Sequence, residues 1–182
     1  MSLRDHFLQM ARNNAWSNLR IYDACRKLDA AALSAPRTSY FPSLFATLRH
    51  VWIVDEYYAD GLEAGGRGAG IWEDEEKWSD LEAQWCAQQG VDARLVDYCA
   101  RLDEASLSTA RISLQRREGL ALERAADVLA HLFVHQIHHR GQIHAMLSGT
   151  SVMPPQLDEW FLAADRPIAE AELRASVAHL RR

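Results

Sequence analysis

Five of the eight histidines fall within fourteen residues, from His131 to His144. A helix turns about 100° per residue, so residues four apart sit about 40° apart on one face. His135 and His139 therefore point the same way, one turn apart, as two imidazoles sharing a tetrahedral metal would. His138, three residues from His135, is the rival partner, whereas His144 points roughly opposite. Val128, Leu132, His135, His139, Gln142 and Met146 follow alternating steps of four and three, a heptad seam whose middle positions are polar. Buried imidazoles without partners are costly. The readings that fit are a shared metal ligand, hydrogen-bonded core histidines, or a solvated histidine-rich face.

Two side chains hold a metal weakly, so a further ligand must come from another helix. His50, in Leu48-Arg49-His50-Val51-Trp52, is the best placed by its apolar surroundings; taken alone it also fits an ordinary core histidine. His6 and His179 lie near the chain ends, where solvation is expected. His131 precedes His135 by one turn and either lines a pocket or bonds within the core. Tyr57 lies two turns after His50 and either supplies a proton or packs. Gln142, on the ligand seam, is expected to orient a ligand. Arg140 points some 140° away, which suggests an ion pair with an acidic residue such as Asp55. Gly141 is expected to let helices approach closely. The string His135-Gln136-Ile137-His138-His139 matches His-Glu-x-x-His except at Gln136, which cannot act as the general base of zincin peptidases.

These residues need helices to carry them, and the pattern is helical nearly throughout. Phe7, Met10, Asn14, Ser17, Ile21, Ala24 and Leu28 mark a first helix over about 3–29. Ser39 or Ser43 can cap a second over roughly 41–62. The stretch from Gly61 to Gly70 holds five of the nine glycines and is not expected to be a stable helix. The acidic run from Glu73 to Glu76 reads as a solvated loop or helix start. Leu81, Trp85, Gln88, Asp92, Leu95, Cys99 and Leu102 mark a third helix over roughly 79–104, with an imperfect seam around Gly90. Between Arg111 and Glu123 the period changes: Ile112, Leu114, Leu120 and Leu122 alternate with polar residues around Arg116-Arg117-Glu118-Gly119, suggesting a short hairpin. The fourth helix runs from about 124 to 148 and stops near Gly149. Alanines, Phe133, Val134 and Ile137 make it look apolar nearly all round, hence central. Pro154-Pro155 opens a short helix through Trp160 and Phe161, and a charged, alanine-rich helix covers about 168–180. The fold class is all-α: a four-helix bundle with a short hairpin before its fourth helix and a helical tail.

The 182 residues suit a single domain, 1–182. Apolar residues make up 48% and charged ones 25%, a globular composition. The formal net charge of −5 argues against a nucleic-acid partner. No membrane-spanning apolar run or signal peptide is evident, so no membrane association is expected. Cys25, Cys86 and Cys99 are odd in number and lack metal-type spacing, which favours reduced thiols and a cytoplasmic location; Cys99 lies on an apolar stripe and is expected to pack in the core.

The segment Ser43-Leu44-Phe45-Ala46-Thr47-Leu48-Arg49-His50, followed by His135-x-x-x-His139-Arg140-Gly141-Gln142, resembles the DinB family of metal-binding helical bundles, the damage-inducible proteins rather than the DNA polymerase of that name. Asn13-Asn14-Ala15-Trp16-Ser17-Asn18 and Pro154-Pro155-Gln156-Leu157-Asp158 are also similar, so the resemblance spans almost the whole chain. It implies His50, His135 and His139 as ligands of a divalent metal, with water or substrate in a fourth position, and favours His139 over His138. It also implies a homodimer and, from some relatives, transfer of low-molecular-weight thiols, which makes a thiol S-transferase the leading reading. A hydrolase using a metal-bound hydroxide, or a non-catalytic metal-binding stress-response module, are the alternatives. Zn2+ suits imidazole ligands and an open tetrahedral position best, with Ni2+, Fe2+ and Mn2+ as competitors. His131, Tyr57 and Gln142 are the pocket candidates, and a small-molecule substrate is the expected partner.

Overall fold

The computed structural model describes residues 2–116 and 119–179 and is mostly helical. Seven α-helices occur in the order α1 (Leu3–Cys25), α2 (Ala30–Ser34), α3 (Leu44–Glu63), α4 (Leu81–Arg101), α5 (Glu104–Thr109), α6 (Ala125–Leu147) and α7 (Arg166–His179). Two 3-10 turns, Gly68–Asp74 and Glu159–Phe161, and a hairpin of β1 (Arg111–Arg116) and β2 (Gly119–Arg124) complete the described elements. The long helices touch in a cycle: α1 packs on α4 and α6, and α3 packs on the same two.

Local chemistry sets the boundaries. Ser43, not Ser39, caps α3, its hydroxyl accepting from the Ala46 amide at 3.2 Å; Asp80 caps α4 through the Ala83 amide at 2.9 Å. Helix α3 runs on through Gly61 and stops where Ala64 turns left-handed at φ 56°. The glycine-rich stretch beyond it then forms the 3-10 turn that reaches into the acidic run. The first helix is shorter than its periodicity predicts, ending at Cys25, and α2 restarts after the Asp29 cap. The third likewise ends at Arg101, and α5 follows as an element the pattern did not announce.

The segment after α6 departs from expectation. Pro154-Pro155 opens no helix, since a proline disfavours helical backbone in the residue before it; only Glu159–Phe161 coils. Trp160 is fully buried against Trp16, with ring centroids 5.8 Å apart, and its indole N–H donates to Gln9 at 3.1 Å. The Trp16 indole in turn donates to Glu172 at 2.8 Å, and Arg20 forks onto the same carboxylate. The tail is thereby held on α1. Helix α7 begins at Arg166 and is described to His179; its forecast end at 180, and the side chain of His179, lie outside the described residues.

Two apolar stripes face outward. Helix α6 is not sheathed on every side: Val134 is 66% and Ile137 50% exposed, and Ala130, Gly141 and Ala145 share that open side. Gly141 admits no close helix, since a Cβ there would meet nothing within 4 Å. In the hairpin, Ser113 pairs with Leu122 and Gln115 with Leu120. Ile112 and Leu114 therefore point into the core while Leu120 and Leu122 point out, 73% and 70% exposed. The forecast turn residues Arg117 and Glu118 lie outside the described residues.

This difference has a measurable consequence. Leu114→Ala should lower the stability read from urea unfolding by about 2–5 kcal/mol, whereas Leu122→Ser should stay within about 0.5 kcal/mol of the parent protein.

Candidate metal centre

The three histidines come from two helices packed side by side. His50 sits in the second turn of α3, and His135 and His139 sit one turn apart in α6. Their ring nitrogens converge so that one from each residue lies within 4.8 Å of the others. The Nε2 atoms of His50 and His135 are 3.1 Å apart. Metal–nitrogen bonds of roughly 2.0–2.1 Å in a tetrahedron hold ligand nitrogens roughly 3.3 Å apart, so this spacing already suits an ion between them. His139 lies 4.5 Å from His50 and 4.3 Å from His135, ring centroid to centroid. His138 is exposed, and neither it nor His144 joins the cluster; His6 is half-buried at the far end of α1.

Hydrogen bonds select the nitrogen that faces inward. The Gln142 amide oxygen lies 2.8 Å from Nδ1 of His139. An amide oxygen only accepts, so Nδ1 carries the proton and Nε2 keeps its lone pair for the cluster. The Gln142 amide nitrogen donates onward to Nε2 of His138 at 3.2 Å. Nδ1 of His135 is buried without a partner among the described residues. Phe41 stacks on His50 at 4.2 Å and closes that side.

Burial holds the imidazoles neutral. Loss of solvent, then the nearby His139, lowers His50 from 6.5 to about 4. The same causes, joined by the other histidines, lower His135 from 6.5 to about 3, and burial depresses His139 as well. Three neutral imidazoles with converging lone pairs are a donor set that fits a divalent ion. By contrast, Cys25 and Cys99 are buried thiols pushed up to about 12, and Cys86, the exposed one, sits in α4 and does not belong to the histidine cluster.

Behind the histidines lies a buried polar network joining all four long helices. Gln136, next to His135, donates to the Val51 carbonyl at 2.9 Å and to Asp55 at 2.6 Å. Gln88 donates to Asp55 at 2.8 Å and Asp92 at 3.2 Å, while Asn14 and Asn18 of α1 donate to Asp92 at 3.2 and 2.9 Å. Arg140 does not form the expected ion pair with Asp55; it donates to the amide oxygens of Asn14 and Asn18. The two carboxylates share one guanidinium charge in a dry interior. Burial raises both acids, and the charge of Asp55 raises Asp92 further.

In front of the histidines is a cavity of about 310 Å3, lined by His50, Val54, Tyr57, Tyr58, Trp72, Gln115, His131 and His135. Two pocket candidates are placed here. His131 is exposed, not a core residue, and its ring stands 5.4 Å from Tyr58. Tyr57 donates its hydroxyl to the Gln115 carbonyl at 2.5 Å. Phe41, Trp72 and Gln115 carry no periodic signal, and sequence reasoning missed them. Asn14, Gln88 and Asp92 did leave one: each is a polar residue at an apolar seam position.

The sequence model of the DinB family matches residues 1–171, and the chain belongs to that family. No curated protein matches it significantly.

The depressed histidines set a pH dependence for metal-free protein. Unfolded chains take up protons on these imidazoles near 6.5, whereas the folded chain resists until about 4 at His50 and about 3 at His135. Their contribution is therefore complete above the unfolded value and is lost as pH falls from about 6.5 towards 4 and 3. Urea midpoints at pH 7.5 and 4.5 should show a smaller drop for His135→Gln than for the parent.

Proposed function

We propose that this chain is a single-domain DinB-like four-helix bundle, residues 1–182, that binds one divalent metal on His50, His135 and His139 and works as a metal-dependent thiol S-transferase. The observation that carries the metal reading is the convergence of three neutral imidazoles beside a cavity. The cyclic packing of α1, α4, α3 and α6 supports the bundle.

Three protein ligands leave a tetrahedral position for a substrate or water, the arrangement of catalytic rather than structural sites. A divalent ion held there supplies positive charge that lowers the pKa of a thiol or water in the open position. The protein's own part is positional. Burial keeps the imidazole lone pairs free of protons, Gln142 sets the ring of His139, and Phe41 covers His50. His131, Tyr57 and Gln142 are the residues we assign to the pocket and its support. No carboxylate lines the cavity among the described residues. That favours a nucleophile that loses its proton easily, a thiol of ordinary pKa about 8.5, over water at about 15.7. Zn2+ is the ion we assign, because four-coordinate imidazole sites suit it.

The free cysteines support a reducing, cytoplasmic setting, and no described helix is long and apolar enough to cross a membrane. We also assign a homodimer. Trp160 takes no part in it, being spent within its own chain, but Val134 and Ile137 leave an apolar strip on α6 for a second copy.

Purified protein should hold about one divalent ion per chain by elemental analysis. His50→Ala, His135→Ala and His139→Ala should each lose it, and His144→Ala should retain it; equal loss in all four removes the assignment. Light scattering should give twice the chain mass, and Val134→Glu with Ile137→Glu should return the monomer while leaving the metal content unchanged.

A further inference from the structure

We propose that the cavity beside the histidines selects a small thiol with a flat, apolar, ring-sized body, its sulfur directed at the open metal position and its ring laid against Tyr57, Tyr58 and Trp72. This rests on the metal reading above and adds the substrate class.

The two ends of the cavity differ in chemistry. His50 and His135 stand at one end, where a head group reaches the cluster. Val54, Tyr57, Tyr58 and Trp72 form the walls, and no described residue lining the cavity is an Asp, Glu, Lys or Arg. The aromatic side chains make a connected surface: Tyr57 lies 5.3 Å from Trp72 at 33° and 5.2 Å from Tyr58 at 76°, and Tyr58 lies 5.4 Å from His131. Offset and edge-on contacts of this kind are those a further ring extends at little cost. The volume, about 310 Å3, is at the small end of ligand sites and equals the share of roughly ten waters in the liquid. It suits one ring and its linker.

Helix α3 carries His50 and, further along, Val54, Tyr57 and Tyr58 of the wall, and elements outside the long helices complete it. His50 and His135 belong to α3 and α6, whereas Trp72 comes from the 3-10 turn and Gln115 from β1, both outside the long helices. Trp72 is 39% exposed although it is the largest side chain of the wall. A large, half-open indole lying on Tyr57 beside a metal-competent cluster is surface a ligand would cover.

Cobalt-loaded full-length protein provides the test, because the visible spectrum of cobalt responds only to what reaches the metal. Benzyl mercaptan and 2-mercaptoethanol have sulfurs of similar basicity and differ mainly in body. Benzyl mercaptan should half-saturate the spectral change at an at least tenfold lower concentration. Trp72→Ala should bring the two within about twofold while the thiol-free cobalt spectrum, which His50, His135 and His139 set, stays unchanged. Equal half-saturation in the parent protein, tighter binding of glutathione than of benzyl mercaptan, or a preference that survives Trp72→Ala each overturns the apolar-body assignment and leaves the metal reading standing. Failure to take up cobalt, or a spectrum unmoved by any thiol, overturns the open metal site itself and this inference with it.

Discussion

The amide of Gln136 is the contact on which the site depends. Its nitrogen donates both to the Val51 carbonyl and to Asp55, joining α6 to α3 one residue from His135 and one from His50. Such a bond contributes about 0.5–1.5 kcal/mol, but leaving the buried Gln136 amide unpaired costs about 1–3 kcal/mol. Sliding α6 past α3 would break both bonds at once in a dry interior. The register that brings His50 opposite His135 is therefore set by the groups behind the histidines, before any ion is considered.

That bond belongs to a wider balance of charge. Asp55 and Asp92 lie in the field of the single guanidinium of Arg140, which itself donates to Asn14 and Asn18, and the amides of Asn14, Asn18, Gln88 and Gln136 supply the hydrogen bonds to the two acids. Raising the acids towards their neutral forms lets one positive charge suffice. A network of this kind cannot be rearranged piecemeal, because each amide serves two partners. It fixes four helices together and leaves the other face of α3 and α6 to carry three imidazoles with no acid beside them.

The histidines profit from this division. Placed among acids they would be charged and would repel a cation; placed among aromatic rings they stay neutral and keep their lone pairs. The cavity in front takes its wall from α3 and α6, with Trp72 of the 3-10 turn and Gln115 of the hairpin added from outside the long helices. The family match runs over residues 1–171 and so takes in both the histidines and the cavity wall.

The residue order alone determined the four long helices, the hairpin, and the shared face of His135, His139 and Gln142, because these follow from turns of backbone a few residues long. It also marked Asn14, Gln88 and Asp92 as polar intruders on apolar seams. What it could not determine was which surface each stripe would meet. The exposure of Val134 and Ile137, the outward face of Leu120 and Leu122, and the diversion of Arg140 from Asp55 to two asparagines depend on partners distant in the chain. So does the convergence of His50 on His135, which are eighty-five residues apart. Periodicity states that a side chain lies on a given face; only the packing of one helix against another decides whether that face looks into protein, water or a metal site.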